Sequence, residues 1–545
     1  MTMILSVAVQ EVLVVSSSST SSAASVTTPQ HGDDNNDSSS SSSTNSSLFY
    51  QCLASFPMSS TSSSSSSSSL TVATTAVAAA LLLLWFIMKN YIYKFYQLYQ
   101  RRIQLQRWIQ EYRQERSIKS KQFRIFSTFS ESSSSSESSS SSSHQQQYLL
   151  TATETVEQIQ SGKLDLLQNV INLSYRCRKY GFSSTTYNND GSSDFTTTSD
   201  DDAVVVPPTN VNAITEELYD DAYYKYGQEL VKKLEQYHHH KKQQQQRDDN
   251  NDDDANNNND NQLGYLFGVP ISIKDQYSMN GQLQTGGLAC RLKSPSIQDS
   301  SLISLLVKNA GAIPICRSNT IQLMMLAETT NNIWGTTTNP YDKTRTPGGS
   351  SGGDSALVSI GCVPIGIGGD VAGSIRIPAS WCGVVGFKPT STRITSVNGD
   401  MRPRLNNNKG STIVIPPTPG CVTRCVNDCI LFMKSMCTSD LYNKYNLNVP
   451  PLPFNNDKLH EICSGGCGDG SGDGTTAGSS TSTSKTKHRR PLRIGYFETD
   501  DWYQPCTASL RGVRETISKL QNEGHICIKL SKLPTDGWFN YGLYV

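Results

Sequence analysis

The sequence predicts an α/β fold: a layered core with a parallel or mixed sheet, preceded by one uncharged run of membrane-spanning length. Three observations carry that expectation. Between 268 and 336, short apolar strand-like runs alternate with helical patterns, as in sheets whose strands are joined by helices. Two glycine-dense turns, 348–354 and 368–378, bracket a buried-type segment at 356–367. Residues 70–88 contain no charge, proline or glycine, a length suited to one helix across roughly 30 Å of hydrocarbon.

Taken in order, the chain offers one foldable region. Its 545 residues carry 47 basic and 47 acidic side chains, so no overall field favours nucleic acid, and none is expected as a partner. Tracts of Ser, Gln, Asn and Asp at 16–69, 131–147, 187–202, 238–261 and 464–484 lack the apolar surface needed to offset ordering entropy. The first 15 residues lack the basic n-region of a signal peptide. The expected organisation is a disordered tail at 1–69, a transmembrane helix at 70–88, and a basic juxtamembrane segment with a Ser/Gln-rich linker at 89–147. One globular domain follows at 148–545, with insertions near 187–202, 238–261 and 464–484. Trp85, Tyr91 and Tyr93 suit an interfacial belt, and the basic residues from Lys89 to Arg116 place the C-terminal side in the cytosol. The aromatic and basic stretch 91–124 reads either as a helix on anionic lipid or as a solvated one.

Within the globular region, Thr153 is read as the cap of a first helix, and Val156, Ile159 and Leu164 begin its apolar face. A short strand at 211–215 precedes a long polar helix at 216–236. The run 268–275 is a strand ending in Lys274. Asp299 is read as the cap of a helix at 300–309 that Gly311 stops. A strand follows at 312–316, where Pro314 signals an edge or a bulge. A second helix is expected at 321–328. Farther on, 425–436 is an amphipathic helix, and 492–500, 508–523 and 524–530 read as strand, helix and strand.

The chemistry is concentrated in the two glycine turns and the strand before them. Glycine admits close backbone approach, so Ser350 and Ser374 can be presented among bare N–H groups. Acyl transfer needs that arrangement, a nucleophilic oxygen beside donors for the developing oxyanion. A serine also needs a base. Lys274 at the end of an apolar run is a candidate if burial keeps it neutral; alternatively it extends to the surface and the glycines are ordinary turns. Asp370 and Arg376 flank Ser374 and are placed to pair, and Ser351 adds a hydroxyl nearby.

The runs Gly-Val-Pro-Ile-Ser-Ile-Lys (268–274), Asn-Pro-Tyr-Asp (339–342), Pro-Gly-Gly-Ser-Ser-Gly-Gly (347–353), Gly-Ser-Ile-Arg-Ile-Pro (373–378) and Gly-Val-Val-Gly-Phe-Lys-Pro-Thr (383–390) resemble the amidase signature family, and within it the fatty acid amide hydrolases. The resemblance implies a central mixed sheet with helices on both faces and a Ser–Ser–Lys triad. Ser374 is then the nucleophile, Ser350 the bridging serine and Lys274 the base. The N–H groups of Val371, Ala372, Gly373 and Ser374 are the oxyanion donors, supported by Ser351, Asp370 and Arg376. Ala372 departs from the glycine usual in the family, where a methyl group either crowds the loop or demands a negative φ. The resemblance further implies a lipid amide substrate, a bilayer, endomembrane placement and a homodimer, with neither cofactor nor metal. Members of the family continue beyond the point matching Val545, so the domain reads as C-terminally incomplete. A hydrolase of small amides, a transamidating subunit and an inactive membrane-anchored protein remain as rivals.

Other hydrolytic constellations lack support. No histidine lies between His240 and His460 to build a Ser–His–Asp system near the motifs. The 14 cysteines are scattered, and the pairs Cys421/Cys425 and Cys463/Cys467 have no histidines at zinc spacing.

Overall fold

The computed structural model describes residues 68–129, 150–181, 210–248, 263–395, 417–437, 449, 452–464, 491–499 and 505–530. The tail before 68, the tracts 131–147 and 187–202, and most of 238–261 and 464–484 lie outside them. The chain divides into two units, Met1–Tyr93 and Lys94–Val545.

Helix α1, Ser68–Lys121, begins in the first unit. The expected span at 70–88 is helical, and Leu82 to Met88 are exposed. Among the described residues, however, no helix is long and apolar enough to cross a membrane. The transmembrane reading of 70–88 thus rests on the sequence alone.

In the second unit, the last turns of α1 pack on the globular domain. Arg113 Nε donates to the Ile333 carbonyl at 2.9 Å, and a terminal Arg116 nitrogen donates to that of Ile214 at 2.7 Å. Tyr112 meets the Trp334 ring edge-on with centroids 5.4 Å apart, while the Arg116 guanidinium lies 5.0 Å from it. One face of this end of the basic stretch thus packs on the domain, while Arg113, Gln114, Glu115, Ile118 and Lys119 stay exposed. Helix α2 follows at Arg124–Phe129.

Helix α3, Ala152–Gln160, is capped by Thr151, whose side chain and Glu154 form a capping box. Thr153, expected in that role, instead donates to Asp428 Oδ1 at 2.9 Å. Helix α4, Leu166–Arg176, is capped by Asp165. Strand β1 is Ile214–Glu217, a few residues later than expected. A π-helical turn at Asp221–Gly227 leads into α5, Gln228–Asp248, so the start of the Gln-rich insertion is helix and not loop.

After β2, Pro270–Lys274, comes α6, Ser301–Ser304, which continues as a π-helical turn, Leu305–Asn309. Ser300 caps α6; Asp299 accepts from the Asn280 N–H instead. Gly311 does stop the helix, at φ 76°. Strand β3 is Ile313–Ser318. The helix expected at 321–328 is absent: only a 3-10 turn, Gln322–Met324, forms, because Leu323 and Met324 sit at φ 59° and 58°, outside helical space.

Strands β4, Thr330–Asn331, and β5, Gly335–Thr336, make a small hairpin. Next come α7, Gly352–Ser359; β6, Ile365–Asp370; α8, Arg376–Trp381; β7, Val385–Phe387; and β8, Thr418–Thr423. The chain continues through α9, Val426–Met436, and α10, Asn456–Ser464. It then forms β9, Arg493–Tyr496, α11, Thr507–Asn522, and β10, Ile526–Lys529, with β9 and β10 pairing in parallel.

The main sheet has six strands in the order β1-β3-β2-β6-β8-β7. Strands β3, β2 and β6 are parallel, while β1, β8 and β7 join antiparallel, giving the mixed sheet expected. Pro314 lies in interior β3, and the β2–β3 register slips beside it, which is the bulge reading and not the edge.

Alternation sorts the two faces. Ile271, Ile273, Ile365 and Ile367 pack with residues of α6 and α9 on one side. Ser272 and Lys274 of β2 therefore project to the other, where α4 and α7 supply the apolar cover. Glycines make room there. A Cβ on Gly366 would lie 2.7 Å from Asp354 Cβ, and one on Gly368 would lie 2.8 Å from Ser351 Oγ. The sheet thus carries α7, with its serines, almost in contact with the backbone of β6.

Candidate active site

Three elements converge at the C-terminal ends of the parallel strands. Strand β2 ends on Lys274, β6 ends on Asp370, and the turn before α7 holds Ser350 and Ser351. The Gly349–Ser350 peptide bond is cis. Lys274 and Ser351 are 0% exposed and Ser350 is 1% exposed. Lys274 Nζ donates to Ser350 Oγ at 2.8 Å and to Ser351 Oγ at 2.9 Å, with the Gly369 carbonyl at 3.5 Å. Burial pushes Lys274 down to about 7, against the upward pull of Asp354 and Asp370. The lysine thus reaches buried hydroxyl groups and does not extend to the surface.

Ser374 heads a separate loop. It is half-buried, and its carbonyl accepts from the Ser351 N–H at 3.0 Å, which ties the two serine turns together. Among the described residues no side-chain hydrogen bond joins Ser350 to Ser374. The sequence-expected trio is therefore gathered at one strand end, with the lysine-to-serine link closed and the serine-to-serine link open.

Asp370 organises the Ser374 loop. It accepts from the N–H groups of Gly373 at 2.8 Å, Ile375 at 3.0 Å and Arg376 at 3.3 Å. The Arg376 side chain adds a two-pronged pair, Nε at 3.0 Å and a terminal nitrogen at 2.9 Å. Burial raises the Asp370 carboxyl, but the bonds from Arg376, Ile375 and Gly373 outweigh it and hold it below the usual range. The expected pairing of Asp370 with Arg376 is thus present.

Of the four expected oxyanion donors, Gly373 has its N–H taken up by Asp370. Its φ of 123° belongs to glycine, and a Cβ there would meet Ile377 at 2.6 Å. Val371 and Ala372 are exposed at the loop tip, and Ala372 keeps a negative φ, so its methyl group is accommodated in the open.

Sequence reasoning missed the supports behind these groups. Asp354, 0% exposed, accepts from Ser272 Oγ at 2.7 Å. Thr320 Oγ1 donates to the Ser350 carbonyl at 2.8 Å, and the Tyr277 hydroxyl to that of Gly368 at 2.8 Å. A buried pair, Arg317 and Asp275, follows Lys274 directly, at 3.5 Å. One signal was present: in Pro-Ile-Ser-Ile-Lys (270–274) the polar residues alternate with isoleucine, which assigns Ser272 and Lys274 to one face of a strand. Among the described residues no cluster of His, Cys, Asp and Glu could hold a metal ion.

Comparison with known proteins extends the picture. The vitamin D3 hydroxylase-associated protein of Gallus gallus is 35% identical over 265 residues, covering 49% of this chain and 50% of its own length. Fatty-acid amide hydrolase 1 of Sus scrofa is 33% identical over 288 residues, 51% of this chain and 44% of its own. The chain thus spans about half the length of the curated relatives it matches. A solved fatty acid amide hydrolase superposes with a TM-score of 0.52 at 19% identity, over 80% of this chain and 63% of that one, a likeness of fold. The family described as Amidase matches residues 221–537, a stretch that holds five of the six strands of the main sheet, the buried lysine and both serine turns. By that match the chain belongs to the amidase family.

Proposed function

We propose that this chain is a serine amidase that hydrolyses carboxylic amides through Lys274, Ser350 and Ser374. The observation that carries the reading is the wholly buried Lys274 Nζ, 2.8 Å from Ser350 Oγ and depressed to about 7. A neutral amine there accepts the Ser350 proton while Ser350 accepts that of Ser374. The freed Ser374 oxygen bonds to the amide carbon, and the carbonyl π electrons move onto its oxygen, to which the loop N–H groups of Val371, Ala372 and Ser374 donate hydrogen bonds. Each such donor is worth about 2.7–4 kcal/mol of barrier. Collapse breaks the C–N bond, and the nitrogen leaves with the proton returned from Lys274 through Ser350. Water then attacks the acyl ester by the same relay, releasing carboxylate and restoring Ser374.

The relay requires Ser374 Oγ to close on Ser350 Oγ, a step that substrate binding would supply; catalytic hydrogen bonds often tighten only with substrate in place. Fatty acid amides are the proposed substrates, supported by the similarity to the pig fatty-acid amide hydrolase. A membrane-bound, cytosol-facing dimer completes the reading; the membrane part rests on the uncharged run 70–88 and its basic flank. A serine-directed fluorophosphonate probe tests the centre. Labelling is expected on the purified chain and lost in Ser374→Ala; a folded wild-type chain that takes no label overturns the proposal. Amine release from oleamide against acetamide then tests the substrate class, and a preference for acetamide would remove the lipid assignment alone.

A further inference from the structure

Asp354 has no part in the relay, yet the fold encloses it with unusual care. It is the third residue of α7, four positions after Ser350, and is wholly buried. One carboxylate oxygen accepts from Ser272 Oγ at 2.7 Å. The other is buried with Ser318 Oγ beside it, a hydroxyl that favours the ionised form. The sheet makes space for this carboxyl group by placing glycine at 366, where a Cβ would lie 2.7 Å from Asp354 Cβ and 3.1 Å from Ser272 Oγ. Ser272 stands two residues before Lys274 on the same face of β2. A buried carboxylate costs more than an apolar residue would at that position.

We infer that Asp354 is a positioning residue for the buried lysine: its carboxyl group, held by Ser272 beneath Gly366, governs when Lys274 carries its proton, without touching substrate. The inference rests on the amidase reading above, for which the charge of Lys274 decides activity. An ionised Asp354 favours the ammonium form; a protonated one withdraws that support. Burial raises Asp354 while Ser272, Ser318, Lys274 and Arg317 oppose the rise, and burial lowers Lys274, so the two groups approach each other in titration range. The other charges facing the pair are fixed elsewhere. Arg317 on β3 is bound to Asp275 and to the Tyr277 carbonyl, and Asp370 at the end of β6 is bound to Arg376. Asp354 is the one whose own proton is free to follow the lysine's.

Titration of Lys274 itself tests this, by NMR of protein carrying 13Cε-labelled lysine, with Lys274→Met to assign the signal. In Asp354→Asn the Lys274 pKa is expected to fall by roughly one unit, the low end of what a neighbouring opposite charge produces. Ser272→Ala, which removes a bond holding Asp354 ionised, is expected to move it the same way by less, and serves if Asp354→Asn fails to fold. The acidic limb of kcat/KM is expected to follow the NMR value in both variants, a shift that a purely structural role would not produce. An unchanged Lys274 titration in a folded Asp354→Asn protein overturns the inference. Because the titration is read without substrate, a wild-type chain that hydrolyses no amide refutes the amidase reading and leaves the role of Asp354 to be judged on the NMR alone.

Discussion

Lys274 and Asp275 are consecutive, both wholly buried, and treated in opposite ways by the fold. Asp275 is given a counter-charge. Arg317 lies 3.5 Å away, Thr285 donates through its hydroxyl and its N–H, and Gly286 donates as well. Burial still raises the Asp275 carboxyl, with Arg317 and those donors pulling against it. Lys274 is given hydroxyl groups. Ser350 and Ser351 accept from it, and its carboxylates act from a distance. Burial alone therefore does not make a residue chemical. An ion pair fixes a proton in place, whereas a hydroxyl partner can take it up or hand it on. One residue closes the turn after β2, and the other is left poised.

Lys274→Met breaks the contrast hardest. Removing the proposed base is expected to cut kcat/KM by roughly 10²–10⁴-fold. Stability should hold or rise, because an apolar side chain of similar length replaces a buried amine. The pH dependence gives a sharper reading. The lysine must be neutral to act, so wild-type kcat/KM should climb as pH rises through about 7. Stability should change in the same direction. The folded pKa lies below the unfolded value of 10.5, so the unfolded lysine binds more protons between those limits, and the contribution of Lys274 to stability rises with pH across that window. Lys274→Met should lose that rise. Denaturant titrations at pH 7 and pH 10 check it, and equal pH slopes in the two proteins would sink the assignment of a depressed lysine.

Arg317→Met is the converse experiment. It leaves Asp275 buried without its counter-charge, and the expected loss is about 3–5 kcal/mol of stability, smaller at low pH where Asp275 can protonate. The lysine chemistry should survive in whatever fraction remains folded, since Arg317 does not touch Lys274, Ser350 or Ser374 through any hydrogen bond among the described residues. A loss under about 1 kcal/mol would mean that the turn after β2 does not depend on this pair.

The same contrast explains how much the sequence disclosed. The strand run ending in Lys274 and the two glycine turns were legible because their signals are local: alternation within 270–274, and glycine where backbone must pass close to backbone. The mixed sheet was legible for the same reason. Its partners were not. Arg317 meets Asp275 from 42 positions away, and Asp354 meets Ser272 from 82, so neither pair leaves a trace in spacing. Caps were misplaced by two residues at Thr151 and by one at Ser300, because Ser, Thr and Asp compete for such positions and only backbone geometry decides between them. At 321–328 apolar spacing suggested a helix, but the chain is spent on contacts: Asn331 binds Asn319 and the Thr320 carbonyl, which fixes the backbone on either side. Tertiary hydrogen bonds overrode the local pattern there.

Thr320 supplies the mildest test and the most specific one. Its hydroxyl donates to the carbonyl of Ser350, not to the Ser350 side chain, and is wholly buried. It therefore steers the hydroxyl that meets Lys274 without sharing a proton with it. Thr320→Val keeps the shape and removes one neutral bond, so stability should fall by about 1 kcal/mol. If the orientation of Ser350 matters to the relay, the rate of fluorophosphonate labelling should fall several-fold while its acidic limb stays at the wild-type pH, because no charge has moved. A shifted limb would show that Thr320 belongs with the groups that set the lysine's charge. An unchanged rate would show that the turn holding Ser350 is fixed without it, by the Thr329 bond to the Gly348 carbonyl and by close packing of Gly349 against Glu328.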